Sequence, residues 1–99
     1  MQPVDMVIPL TVFLITYDLN RETVRPPIVR RIRSYEAWAR LSESSYAIST
    51  PQTAAQVYSG LSDLLDNNDS LFVIKLSNPA SGWAADPDVK QWLDQHLTW

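Results

Sequence analysis

Residues 11–17 read TVFLITY, an almost continuous run of β-branched, aliphatic and aromatic side chains. Pro9 precedes this run, and the turn-forming segment Asp18-Leu19-Asn20 follows it. An apolar run bounded by turn signals is typical of a strand inside a sheet that is covered on at least one face. The whole apolar stretch, residues 6–17, is interrupted by Pro9 and is too short to span a bilayer. It therefore predicts a buried inner strand.

Helical and strand-like patterns alternate after this strand. Thr53 and Gln56 have the spacing of a capping box, in which each side chain satisfies a free amide at the start of a helix. Asp86 followed by Pro87 is typical of another helix start. The remaining predicted elements are a helix over residues 28–35, a hairpin of strands at 38–41 and 45–49, a helix from the capping box to residue 65, and a strand at 70–76.

This order of elements predicts an α+β fold, a ferredoxin-like βαββαβ sandwich with an antiparallel sheet plus a C-terminal helix. We expect a single domain over residues 1–99, in which residues 1–9 form an N-terminal arm and residues 77–99 form a loop and the last helix. Both crossover helices pack on one face of such a sheet. The other face then needs a cover, which we expect to be the C-terminal helix or a second copy of the chain.

Charge is distributed unevenly along the chain. The net charge is −3, but six of the eight basic residues lie between residues 21 and 40. Residues 41–99 carry two basic and seven acidic residues. A polyanion would be repelled by most of this surface and attracted to one arginine-bearing region. Strong non-specific binding of nucleic acid is therefore disfavoured, whereas a local phosphate contact is allowed.

The composition excludes several classes of site. The chain has no cysteine, which removes disulfides, thiolate metal sites and cysteine nucleophiles and fits a reducing compartment. The N-terminal stretch lacks the basic segment and small-residue cleavage site of a secretory signal. We therefore expect a cytoplasmic protein that does not associate with membranes.

Four segments together match a known family pattern: LITYDL at residues 14–19, YEAWARLSES at 35–44, YAIST at 46–50 and LDNNDSLFVI at 65–74. In this order they resemble the small bacterial proteins called SinR-like, which are not helix-turn-helix repressors. More remotely, they resemble the Cas-two family of CRISPR spacer acquisition and the virulence-associated protein D ribonucleases. The resemblance covers roughly residues 11–76. It implies a ferredoxin-like homodimer.

The resemblance also implies a site. In the distant families, an aspartate at the end of the first strand lies near the dimer axis beside its symmetry mate and helps to bind a divalent metal. Asp18 occupies the matching position. The chain departs from the Cas-two pattern after residue 76, where a Trp-containing loop and a helix replace the short strand that usually completes the dimer.

Asp18 has two interpretations. Metal-assisted hydrolysis of a phosphodiester needs oxygen ligands for a hard cation, and two symmetry-related carboxylates would provide them for magnesium. Alternatively, Asp18 accepts hydrogen bonds from amides of the following turn. No second acidic residue stands beside it in the sequence, which favours the turn over catalysis.

Arg21, Arg25, Arg30 and Arg33 form the candidate nucleic-acid-binding set, because guanidinium groups pair well with phosphates. The alternative is an ordinary solvated helix face. The Asp66–Asp69 segment lacks the spacing of a calcium loop and predicts a turn. His96, the only histidine, is typical of a surface or helix-end position. The tryptophans are either base-stacking platforms or, as we expect, core and interface anchors: Trp38, Trp83, Trp92 and Trp99.

The sequence thus favours a homodimeric Cas-two-like domain that acts in interactions or in association with RNA or DNA. The alternative is a metal-dependent endonuclease, acting on RNA, in which Asp18 of both protomers holds magnesium.

Overall fold

The structure is a computed structural model and describes residues 9–98. The predicted N-terminal arm, apart from Pro9, and Trp99 lie outside the described residues. The elements in chain order are β1 (Thr11–Asp18), a short 3-10 helix (Glu22–Val24), α1 (Arg25–Ile32), β2 (Ala37–Ser42), β3 (Ser45–Thr50), α2 (Ala54–Ser62), β4 (Ser70–Leu76) and α3 (Pro87–His96).

The four strands form one antiparallel sheet in the order β2-β3-β1-β4. β1 lies inside the sheet, where Ile15 is opposite Tyr46 of β3 on one side and opposite Val73 of β4 on the other. This order, with a helix between β1 and β2 and another between β3 and β4, is the ferredoxin-like α+β arrangement. The predicted fold class and the inner position of β1 are confirmed.

The main core lies between the sheet and helices α1 and α2. Alternate residues of β1 point into it, and Ile15 is completely buried. The helices supply the opposite wall through the fully buried side chains of Ile28, Ile32, Val57 and Leu61. Within each helix the two residues are four positions apart, which places them on one face.

Two predicted helix ends are wrong. α1 begins at Arg25 and ends at Ile32, so Tyr35 lies in the turn before β2 and not on the helix. Prolines are tolerated in the first turn of a helix, which is why α1 takes in Pro26 and Pro27. α2 ends at Ser62, before Leu65, because the chain must turn there to enter β4.

α3 covers one end of the second sheet face. Trp92, Leu93 and the buried Leu97 form a small cluster with Val12 of β1 and Ala47 of β3. The apolar residues near the C-terminus are buried to different degrees. Those inside α3 are only half-buried, and Leu97 at its C-terminal cap is the buried one. No helix within residues 9–98 has the length and apolar content needed to cross a membrane.

Candidate functional site

Asp18 is the last residue of β1 and is exposed. It lies opposite Ser70, the first residue of β4. Successive side chains of a strand project to opposite faces, so Asp18 shares a face with Thr16, Leu14 and Val12. Asp18 therefore belongs to the second sheet face, the one that α3 covers only in part.

This second face is covered at one end and open at the other. Residues directly opposite each other on antiparallel strands share a face. The Val12–Leu76 pair packs against α3. The next pairs toward Asp18 join Leu14 to Ile74 and Thr16 to Phe72. Ile74 is 47% exposed and Phe72 is 65% exposed. An open apolar surface therefore leads along β1 and β4 to Asp18.

The described part of one chain does not supply a complete metal site. Within residues 9–98, no group of three or more histidine, cysteine or carboxylate side chains is placed to hold a metal ion. The nearest acidic turn is occupied by other contacts, since Asp66 forms an ion pair with Arg21 at 3.0 Å and Asp69 accepts backbone hydrogen bonds. With the ligands of residues 9–98 alone, Asp18 would need carboxylates from a second copy to bind a cation.

The Asp66–Asp69 turn is confirmed, and it fixes the loop that follows Asp18. The carboxylate of Asp69 accepts a hydrogen bond from the amide of Asn20 at 2.7 Å and another from the amide of Asp66 at 2.9 Å. These two amide bonds, followed by the nearby positive charge of Arg21, hold the pKa of Asp69 below its ordinary value. The ionised carboxylate thus joins the end of β1 to the start of β4.

Replacing Asp69 with alanine should destabilise the fold in a pH-dependent way. A carboxylate whose pKa is lowered by folding stabilises the native state above its unfolded pKa, and this contribution is lost as the pH falls through the folded pKa. The melting temperature of Asp69→Ala should therefore lie below that of the parent at neutral pH. The difference should narrow as the pH falls below the ordinary value of 3.8. Thermal unfolding followed by circular dichroism from pH 7 to about pH 2 measures this.

Asp69→Asn is the matched control, because it keeps an oxygen acceptor and removes the charge. Its melting temperature at neutral pH should lie between those of the parent and Asp69→Ala. Equal pH dependence in the parent and both variants would show that the Asp69 carboxylate does not connect these two loops.

The structure gives the four predicted arginines different surroundings. Arg21 pairs with Asp66. Arg25 pairs with Glu22 at 2.8 Å, donates to the carbonyl of Glu43 and lies 5.6 Å from the Tyr17 ring. Arg30 is exposed. Arg33 lies over Trp38, 4.9 Å from the ring centroid. They therefore do not form the single solvated helix face that the sequence suggests.

Arg33 and Arg40, which is not among the four predicted arginines, both lie near Tyr46. The Arg33 guanidinium donates to the hydroxyl of Tyr46 at 3.1 Å, and Arg40 of β2 lies directly opposite Tyr46 in the sheet. Arg40 and Trp38 are two residues apart on one strand and so share a face. That spacing was the sequence signal for Arg40, but it depends on knowing which face of β2 meets α1.

Tyr17 anchors the other end of this region. Its hydroxyl donates to the carbonyl of Glu43 at 3.1 Å. Burial, reinforced by the neighbouring Tyr46, raises the pKa of Tyr17, and the nearby Arg25 and Arg40 oppose this shift. The phenol therefore stays protonated at neutral pH and ties β1 to the β2–β3 turn.

Within the described residues, His96, Trp38 and Trp92 pack against other side chains, whereas Trp83 is exposed. The Nδ1 atom of His96 lies 2.8 Å from the carbonyl oxygen of Trp92, and the two rings stack with centroids 4.1 Å apart. His96 is thus at a helix end, as expected. Trp38 packs against the main core. Trp83 is the exception, since it is 93% exposed beside a cavity of about 270 Å³ that Leu41 and Leu93 also line.

Comparison with known proteins supports the fold. No protein-family model matches the sequence, and no curated protein matches it either. Among solved structures, the chain is similar to a hypothetical protein, TT1823, from Thermus thermophilus. The two are 17% identical over 80% of this chain and 96% of that chain, with a TM-score of 0.65. At this identity the likeness shows the ferredoxin-like fold and nothing about activity.

Proposed function

We propose that the protein is a SinR-like, Cas-two-like domain that works as a homodimer in association with nucleic acid. One observation carries this proposal: the open half of the second sheet face, where Phe72 and Ile74 lie exposed next to Leu14 and lead to Asp18. A contiguous apolar surface of this kind on a small domain marks an interaction site.

A second copy is the partner that this surface suits best. In a twofold dimer the same patch meets itself, so an apolar strip can pair with its own symmetry mate. Burying a phenylalanine or isoleucine side chain contributes about 1.5–3 kcal/mol, and each protomer offers both. α3 already covers the neighbouring part of the face, so the dimer needs to cover only the end nearest Asp18.

Nucleic-acid association rests on the arginines from the loop after β1 to the start of the hairpin. They are the main positive surface of a chain whose net charge is −3. Arg21, Arg25, Arg30 and Arg33 belong to this region, and Arg40 extends it onto β2. Because guanidinium groups pair with phosphates in a fixed geometry, a few of them can hold a strand locally.

Two measurements test the proposal. Sedimentation equilibrium should give twice the chain mass of 11.3 kDa at micromolar concentration. Fluorescence anisotropy with labelled RNA and DNA oligonucleotides should show binding at low salt that weakens as salt rises. A chain that stays monomeric at all accessible concentrations would remove the dimer, and a lack of binding at low salt would remove nucleic-acid association.

The alternative function is a metal-dependent endonuclease in which Asp18 of both protomers holds magnesium. The position of Asp18 favours it, because this carboxylate lies at the end of the same face on which we place the dimer contact. Two facing carboxylates would bind a hard cation and help to activate water for attack on a phosphodiester. Binding both carboxylates to one ion requires them to lie within about 8 Å of each other, because oxygen–metal bonds are ~2.0–2.6 Å long.

Cleavage assays separate the two functions. The endonuclease predicts RNA cleavage that requires magnesium and is lost, by more than about a hundredfold, in a dimeric Asp18→Ala variant. Asp88→Ala is the matched control, because Asp88 is an exposed acidic residue in the first turn of α3. A folded dimer that cleaves neither RNA nor DNA with any divalent metal would exclude the endonuclease and leave the binding function.

A further inference from the structure

Arg33 and Arg40, on the helix-bearing side of the sheet, differ from the ion-paired arginines near α1. Arg21, Arg25 and Arg31 each form an ion pair, with Asp66, Glu22 and Asp63 respectively. Within residues 9–98, neither Arg33 nor Arg40 pairs with a carboxylate. Both are exposed. Their positive charges are therefore available to an anionic ligand.

Aromatic side chains hold the guanidinium group of Arg33 in place, and a backbone carbonyl holds that of Arg40. Arg33 lies 4.9 Å from the centroid of Trp38 and 5.8 Å from that of Tyr46, and it donates to the Tyr46 hydroxyl. The Trp38 and Tyr46 rings contact each other, with centroids 6.0 Å apart. Tyr46 is 1% exposed, so it forms a rigid base under Arg33. On the neighbouring strand, the Nε atom of Arg40 donates to the carbonyl of Ser42 at 3.2 Å.

We infer that Arg33, Trp38 and Arg40 form a binding site for single-stranded nucleic acid on the edge of the sheet at β2. The inference rests on the proposed nucleic-acid association and names the residues and the kind of strand. Arg33 and Arg40 contact successive phosphates, and the Arg33–Trp38 pair offers a flat surface on which an unpaired base stacks. Arginine planes and aromatic rings stack bases without strong sequence preference, which is the chemistry of single-strand recognition.

The site suits a short single strand better than a duplex. Strong duplex binding relies on many phosphate contacts, and this chain has a net charge of −3 with only eight basic residues. Two guanidinium groups held in place before binding lose little side-chain freedom when a ligand arrives, so a small number of contacts is sufficient. The site lies on the opposite sheet face from Phe72 and Ile74, so it stays accessible in the proposed dimer.

The test compares the full-length parent with R33Q, R40Q and the double variant R33Q/R40Q. The probe is a fluorescein-labelled single-stranded RNA of about twelve uridines, and anisotropy is measured across a sodium chloride series. Each single variant should weaken binding at low salt by about tenfold, since a hydrogen bond to a charged group contributes about 1.5 kcal/mol or more. Each phosphate contact to a single strand adds about 0.7 to the salt slope, so the double variant should lose about 1.4.

K75Q is the matched control, because it removes one positive charge from an exposed position on β4, at the opposite edge of the sheet from β2. Its salt slope should stay within experimental error of the parent value. Binding by R33Q/R40Q equal to that of the parent, or an equal loss of binding in K75Q, would overturn this site while leaving nucleic-acid association standing. Equal binding of a duplex of the same length would overturn the assignment to single strands. No binding by the parent at low salt would overturn both proposals.

Discussion

The double variant Phe72→Glu/Ile74→Glu should be a folded monomer. Both side chains project from the open half of the second sheet face and lie outside the buried clusters, so their replacement leaves the core intact. In a dimer formed through this face, four carboxylates would be buried without partners. An unpaired charge in an apolar contact costs several kcal/mol, and each 1.4 kcal/mol changes a dissociation constant about tenfold. We therefore expect the dimer dissociation constant to rise by more than about a thousandfold.

Lys75→Glu is the control for this experiment. Lys75 belongs to the same strand and is exposed, but it lies opposite Phe13 and therefore projects to the other face. Sedimentation velocity should find this variant dimeric and the double variant monomeric, with equal far-ultraviolet circular dichroism. If the double variant keeps the parent mass, the two copies meet through another surface, and Asp18 is then not part of the interface.

Ile15→Ala should be the most destabilising single core substitution of β1. Ile15 is completely buried at the middle of the inner strand, between Tyr46 and Val73. Truncating a buried isoleucine to alanine removes transferred apolar surface and leaves a cavity, at a cost of about 2–5 kcal/mol. Small domains have a total stability of about 5–15 kcal/mol, so this variant should be close to unfolding at 37 °C. Urea denaturation measures the loss.

Ile15→Val supplies the graded comparison, since removal of one methylene group should cost only about 0.5–1.5 kcal/mol. All three proteins need the same concentration, because dimer formation contributes to the measured stability. If the free energy of unfolding falls less in Ile15→Ala than in Ile15→Val, the cavity explanation is wrong and β1 is not packed as described.

Ile15 lies on the helix-covered face of the sheet, and Phe72 and Ile74 lie on the second face. The sequence predicts these two faces unequally well. The main core follows from local pattern, because alternation along β1 and helical spacing from Val57 to Leu61 both point to one apolar layer. The capping box of Thr53 and Gln56 is another local feature, and its reciprocal hydrogen bonds form as predicted. Features that depend on near neighbours in the chain are therefore the reliable ones.

The arrangement of the arginines, by contrast, could not be predicted from near neighbours in the chain. A helical pattern running to Tyr35 suggests that Arg30 and Arg33 share one solvated face. α1 instead ends at Ile32, and Arg33 turns onto Trp38 and Tyr46. Arg40 joins them only because β2 and β3 pair in a register that places it opposite Tyr46. Both the helix end and the strand register depend on contacts between distant segments, and no short window of sequence contains them.

The candidate site also combines features that local sequence predicts with features that only tertiary packing determines. The amino-acid pattern alone predicts the α+β class, the inner strand over residues 11–17, the turn at Asp66–Asp69 and the helix start at Asp86, because each follows from side-chain periodicity or from local backbone hydrogen bonding. The three-dimensional packing determines which half of the second face α3 covers and which arginines find no carboxylate partner among residues 9–98. Those outcomes depend on how separate elements meet in space, a property that residues close together in the chain do not encode.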